Sequence, residues 1–348
     1  TYVGANLTIT QATLTVTADN QTKAYGTANP TLTFQYSGWV NGVEIIDVPP
    51  AASTSVTTST PVGTYIDAIT VSGGSDNNYS FTYVAGDFEV TEATLVIGIT
   101  AQNKLYDGNA NASVSAYIIS GLIPGDDVTP VASNGQFNNK NAGNGKTVTA
   151  DITLTGADAS NYTYNTTAST TANITPYPLT ITATSITKTY GETVTLSSTG
   201  FTNTPMIGTE SVASVTMTGG GTNATAPVSG SPYIIMPSAA VGSPGTLMTN
   251  YAITYAPGLL FVNPKPVTIT PNSFPKVYGV NYVFAGTEFT TTPMVGLESI
   301  ASVTLTSGGA PGTASVEFSP YAITCSNAVA GPWTVLGNYA VTYGFGIL

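Results

Sequence analysis

Residues 12–26 read ATLTVTADNQTKAYG. Leu14 and Val16 alternate with threonines, so one face of the segment is apolar and the other hydroxylic, the period-two pattern of a half-buried β-strand. Lys23, one intervening residue, Tyr25 and Gly26 close it. The same order returns as ATLVIGITAQNKLYDG from Ala93, YPLTITATSITKTYG from Tyr177 and KPVTITPNSFPKVYG from Lys265. A second pattern closes each stretch: NYSFTYVAGDFEV from Asn78, NYTYNTTASTTANI from Asn161, NYAITYAPGLLFV from Asn250 and NYAVTYGFGIL from Asn338. Self-similarity with a period of about 80 to 90 residues is the signature of a repeat architecture.

The repeats divide the chain into modules at 12–92, 93–176, 177–264 and 265–348. FTNTPMIGTESVASVTMTGGG from Phe201 is nearly copied by FTTTPMVGLESIASVTLTSGG from Phe289, which points to duplication. The second module departs, with YDG for YG and its own GLIPGDDV and NAGNGKTVTADITLTGADASNY. Between the ends of each module lie short alternating runs broken by Gly, Pro, Asn and Asp. These imply an all-β fold: four tandem small modules of five to seven strands in two layers, β-grasp-like or immunoglobulin-like. The acidic stretches after Gly42, Gly125, Gly208 and Gly296 would each form one helical turn. Only a few residues separate one module's last strand from the next module's first, as in FEVTEATLVI and LFVNPKPVTI, so an elongated, semi-rigid rod is expected, stiffened by Pro264 and Pro266.

The TK-x-YG opening, G-x-E centre and NY-x-x-TY close of modules one, three and four resemble the MBG domain. The YDG, PGDDV and AGNGK run of module two resembles the YDG domain. The resemblance covers nearly the whole chain and implies a place in a large bacterial surface or secreted protein, adhesin-like, with a spacer or adhesive role.

Composition narrows the function classes. Of 348 residues only 7% are charged, with seven Lys and no Arg or His, and the net charge is −11. Phosphate neutralisation needs basic clusters, so nucleic-acid binding is excluded and attachment to anionic lipid disfavoured. Without His, neither a Ser-His-Asp triad nor a His-based metal site can be built. The acids recur once per module rather than converging, and no Gly-rich phosphate loop is present, so no catalytic or cofactor-binding residue is expected. No apolar run approaches bilayer-spanning length. Cys325 is the single cysteine, which excludes an intrachain disulfide and leaves a semi-buried side chain or a link to another chain. Asp126 with Asp127, and Asp151 with Asp158, are turn carboxylates or contributors to a calcium site.

One constellation stands out, a Lys, an acid and an Asn in every module. These are Lys23, Glu44 and Asn78; Lys104, Asp126 or Asp127, and Asn161; Lys188, Glu210 and Asn250; Lys276, Glu298 and Asn338. Either each set is a buried ion pair and amide bond fixing the first strand to the last, or it is an autocatalytic Lys–Asn isopeptide crosslink with the acid as proton shuttle. The recurring Tyr25, Tyr106, Tyr190 and Tyr278 are expected to cap cores with hydrogen-bonded hydroxyls. Trp39 and Trp333 are candidates for stacking on sugars.

The sequence therefore predicts a non-enzymatic extracellular or cell-surface protein forming a stalk, spacer or filament body, its partners being neighbouring modules or copies of itself. A module that binds host or matrix glycans directly is the alternative. Finally, TYVGANLTITQATLTV at the start aligns with TYVAGDFEVTEATLVI from Thr82, so residues 1–11 read as the closing strand of a preceding module or as a donor strand. The fourth module lacks its last strand. Both features fit a window on a longer array or strand exchange between subunits.

Overall fold

The computed structural model describes Gly4 and residues 6–348, which form two compact units divided between Thr175 and Pro176. Each unit holds two modules built from two packed β-sheets. In the first module the strands are β1 (Ala12–Ala18), β2 (Gln21–Ala24), β3 (Phe34–Ser37), β4 (Ala51–Thr54), β5 (Gly63–Ser72), β6 (Tyr79–Val84) and β7 (Gly86–Thr91). One sheet has the order β3-β1-β6, the other β2-β7-β5-β4. β1 is parallel to β6 and β2 parallel to β7, while the remaining pairs are antiparallel.

The opening motif thus supplies a strand to each sheet and changes sheet at Asp19-Asn20. Asn20 Oδ1 accepts the Asp87 N–H at 2.8 Å, and Asp19 accepts from the Gln35 amide at 3.1 Å, so the crossing is pinned to both sheets. Leu14, Val16 and Ala18 point inward from β1, and Ile69, Val71, Phe88 and Val90 are buried on the other sheet. The same order recurs in the third module and, with strands of different lengths, in the second.

A β-grasp needs a helix laid across its sheet, and no α-helix occurs among the described residues; the two-sheet alternative holds. The expected helical turns after the Gly positions are corrected as well. Around Gly125, Gly208 and Gly296 a single backbone bond closes a turn instead, from Asp126 N to Ile123 O, Glu210 N to Ile207 O and Glu298 N to Val295 O. With glycine in a left-handed conformation the chain cannot continue as a helix. The short helical pieces are 3-10 turns elsewhere, among them Val228–Gly230 and Val316–Phe318.

In the fourth module the counterpart of β7 is only Phe345–Ile347, and residues around Lys276, the counterpart of β2, form no strand. At the other end Gly4 and residues 6–11 form no strand and are exposed; Thr1, Tyr2, Val3 and Ala5 lie outside the described residues. No described helix is long and apolar enough to cross a membrane.

Cores do not stop at module boundaries within a unit. Tyr25, Val56 and Val90 of module one pack with Leu95 and Tyr162 of module two. Tyr190 and Val262 of module three pack with Val267, Ile300 and Tyr339 of module four.

Candidate functional site

In both units the motif residues meet at the joint between modules. Tyr25 donates its hydroxyl to Asp126 Oδ1 at 3.3 Å, and Tyr162, from the Asn-Tyr pair of the next module, donates to Asp126 Oδ2 at 2.5 Å. Their rings meet edge to face with centroids 5.7 Å apart. The other unit repeats this arrangement. Tyr190 donates to Glu298 Oε1 at 2.8 Å, Tyr339 donates to Glu298 Oε2, and the ring centroids are 5.6 Å apart. Beside them Asn161 Oδ1 accepts the Val62 N–H at 3.0 Å, and Asn338 Oδ1 accepts the Val228 N–H at 2.9 Å.

The turn that carries the acid also fixes the acceptor side. Its first residue, Ile123 or Val295, donates its N–H to the tyrosine hydroxyl at 3.1 or 2.9 Å, and the acid follows three residues later. The side chain of that first residue lies on the glycine of the preceding module's Lys-x-Tyr-Gly. A Cβ on Gly26 would stand 2.1 Å from Ile123 Cδ1, and one on Gly191 would stand 2.7 Å from Val295 Cγ2. Both glycines also have left-handed φ values, +79° and +96°. Glycine is required there both for conformation and for the neighbouring module's approach.

Electrostatically the phenols that face these acids retain their protons. Burial, reinforced by the Asp126 carboxylate, pushes the Tyr162 hydroxyl up to about 12. Burial and Glu210 do the same to Tyr251, also to about 12, and burial with Glu298 raises Tyr339 and Tyr190. A phenol that stays protonated at neutral pH serves as a hydrogen-bond donor. Each such bond to a carboxylate contributes about 1.5–3 kcal/mol.

The Lys, acid and Asn of a module are therefore not one cluster, and the expected pairing is corrected. Lys23 donates to the Thr27 and Thr57 carbonyls, Lys188 to those of Glu192 and Asn223, and Lys276 to those of Val280, Ala310 and Pro311. Lys104 instead bonds Asp107 at 2.8 Å and Asn109, in an ion pair created by the extra residue of YDG. The Lys23, Lys188 and Lys276 ammonium groups tie their own Tyr-Gly turns to a facing loop, whereas Lys104 stays within its own turn, and Asp126, Glu210 and Glu298 are engaged by phenols. The Lys and Asn are thus not assembled for an isopeptide bond. Burial lowers the Lys23 and Lys188 ammonium groups below their ordinary value. Backbone carbonyls compensate them, joined at Lys188 by the charge of the Glu192 carboxylate.

Of the two acids offered in module two, Asp126 takes the joint; Asp127 Oδ2 accepts the Ala157 N–H, and Asp158 accepts the Asp127 N–H. Asp151 accepts from Asn134. No group of three acidic or thiol ligands suited to a metal occurs among the described residues. Asn250 is buried and partnered, whereas Asn78 is exposed. In module one the acid is displaced: three residues after Val40 stands Val43, and Glu44 comes one later. Trp39 is half-buried against Tyr36 and Tyr79. Trp333 is 86% exposed at φ +67°. Cys325 is buried, its thiol 3.5 Å from the Ile269 carbonyl, out of reach of another chain.

Residues 14–89 and 179–261 match the MBG domain (YGX type), and residues 91–172 match the YDG domain. The chain is a tandem of MBG and YDG domains. Its fourth module repeats the joint residues and much of the strand order of the MBG domain before it. No curated protein matches the chain. Among solved structures it is similar at 12% identity to the I9-I11 tandem of titin, over 72% of this chain and 99% of that one, with a TM-score of 0.19. Similarity to the N-terminal four Ig domains of Dscam1 isoform 7.44 is also 12%, over 93% and 96%, with a TM-score of 0.13. Both scores are too low to speak to the fold.

Sequence reasoning missed that Tyr25 and Tyr190 serve the following module. Their spacing to the next module's acid, 101 residues for Tyr25 to Asp126 and 108 for Tyr190 to Glu298, crosses a module boundary, so a search within single repeats does not find it.

Proposed function

We propose that this MBG–YDG chain is a non-enzymatic structural segment, a stalk, spacer or filament body of a bacterial surface or secreted protein. The observation that carries this reading is the use of the motif residues. Tyrosine, acid and Asn-Tyr pair converge on the joints, where they lock one module to the next through a shared core and a phenol–carboxylate network. A repeat whose most distinctive side chains fasten neighbours together is suited to holding distance and direction.

The experiment is small-angle scattering on the intact chain and on a Tyr25→Ala, Tyr190→Ala variant. Stiff joints predict that the variant samples more bent forms and loses maximum dimension relative to its radius. Equal flexibility in both would refute the reading. Direct glycan binding is favoured by one observation, Trp333. Module four places this exposed ring at a left-handed turn where module three has Gly245, and sparsely populated backbone conformations persist preferentially at functional sites. A glycan array on the chain and on Trp333→Ala decides it: binding by the parent and loss in the variant would establish a lectin role.

A further inference from the structure

We infer that module three carries a binding site for an uncharged small molecule with a single aromatic ring. TSITKTYGETVTLSSTGF (184–201) and NSFPKVYGVNYVFAGTEF (272–289) align without a gap, and the backbone holds the two segments alike. Thr184 N–H donates to Gly200 O and Asn272 N–H to Glu288 O, both at 2.9 Å. Val194 N–H donates to Thr222 O at 3.0 Å, and Tyr282 N–H to Ala310 O at 2.9 Å. The side chains differ. In module four Phe274, Tyr282 and Phe284 pack on one another with ring centroids 4.7, 5.1 and 6.2 Å apart.

Module three has Ile186, Val194 and Leu196 at the places of those rings, and a cavity of about 380 Å³ opens there. Met217 and Ile235 also line it, the counterparts of Leu305 and Ile323. Its whole wall comes from residues between Thr184 and Ile235, so the cavity is complete within one module. One backbone arrangement thus encloses its own rings in module four and a space in module three. The largest loss is at Val194, where an isopropyl group stands in place of the hydroxyphenyl of Tyr282.

What fills the place in module four defines what fits it in module three, a flat ring held between aliphatic side chains. Apolar cavities in proteins take up rings of the benzene type, and small-molecule sites of about 300–1,000 Å³ are mostly apolar with a few polar groups. Met217 is half-buried, whereas Leu305 is buried, and a thioether makes favourable contacts with a ring edge. No Lys, Asp or Glu lines the cavity among the described residues, so a charged ligand would lose its hydration without compensation. The hydroxyls of Thr187 and Thr195, both exposed residues, stand at the wall and can bond a polar substituent on the ring. Ser and Thr are under-represented among residues that carry protein–protein affinity, so the occupant is a free small molecule rather than a side chain of another protein.

The test is a titration of the intact chain, its methionine methyl groups isotope-labelled for NMR, with p-cresol as the probe. The ring current of p-cresol should move the Met217 methyl signal saturably, with a Kd of about 1 mM or below, and leave Met294 of module four in place. Methylcyclohexanol, the saturated analogue, should bind about 2- to 10-fold more weakly, the share of a sulfur–ring contact, and the charged toluate should not bind. Ile186→Phe, Val194→Tyr and Leu196→Phe together write the rings of module four into module three and should abolish the response to p-cresol without lowering the melting temperature. Val194→Phe alone takes their place if the triple variant does not fold. A Met217 signal that p-cresol does not move saturably in that range overturns the inference. So does a saturated analogue that binds as tightly, or a folded, filled variant that still responds. Tighter binding of the peptide Gly-Tyr-Gly than of p-cresol would overturn the choice of a small molecule. None of these results bears on stiffness at the joints.

Discussion

Replacing the motif glycine by alanine separates the two reasons for its presence. At Gly26 or Gly191 a Cβ would carry a left-handed backbone cost of about 1–2 kcal/mol. It would also drive into Ile123 at 2.1 Å or Val295 at 2.7 Å. Because each obstacle is the end of an aliphatic side chain rather than backbone, it can yield, at an overpacking cost of about 1–3 kcal/mol. The sum is about 2–5 kcal/mol for Gly26→Ala and Gly191→Ala. Gly279→Ala meets nothing within 4 Å and should show only the backbone share, about 1–2 kcal/mol. Native-state hydrogen exchange on the dilute intact chain reads these costs locally, with peptides over the Tyr-Gly turn and the facing acid turn reporting the joint. A further variant, Ile123→Ala, should remove most of the excess at Gly26 and leave the backbone share. Equal losses at Gly26, Gly191 and Gly279 would refute the argument that the glycine is kept for the neighbouring module.

Asn338→Ala should expose the Val228 amide to exchange and cost about 1–3 kcal/mol, as for a buried donor left unpaired, while Asn78→Ala should leave the stability of the dilute chain unchanged. Lys188→Met removes an ammonium bonded to two carbonyls and should destabilise by about 2–3 kcal/mol in denaturant titration, and intact mass spectrometry should show the plain sequence mass with no ammonia lost. Tyr162 and Tyr251 have folded values near 12 against 10 in the unfolded chain, so their contribution is complete below pH 10 and disappears as pH rises through 12. The buried lysines oppose this below about 10.5, because losing their protons relieves burial. Melting temperature should therefore fall most steeply above pH 10.5, and Tyr162→Phe should flatten that fall in its own unit.

Alternating threonine and aliphatic residues in ATLTVTA determine a strand with one buried face wherever the segment sits, because side-chain direction in a strand depends only on the step of two. The repeats determine the module count for the same local reason, and the absence of His and Arg removes whole classes of chemistry without any structure. What Lys23, Asp126 and Asn161 do is another matter. Their roles depend on which module each faces, and backbone carbonyls, invisible in a residue pattern, satisfy the lysine where a carboxylate was expected. Asp126 rather than Asp127 meets Tyr162 because the turn begins at Ile123 and presents its fourth residue, a matter of backbone geometry. The tertiary structure alone decided that the conserved-looking set within a repeat is divided, with Tyr and Gly turned toward the next module and acid and Asn toward the previous one, because a joint is formed by surfaces distant in sequence whose contact no single repeat records.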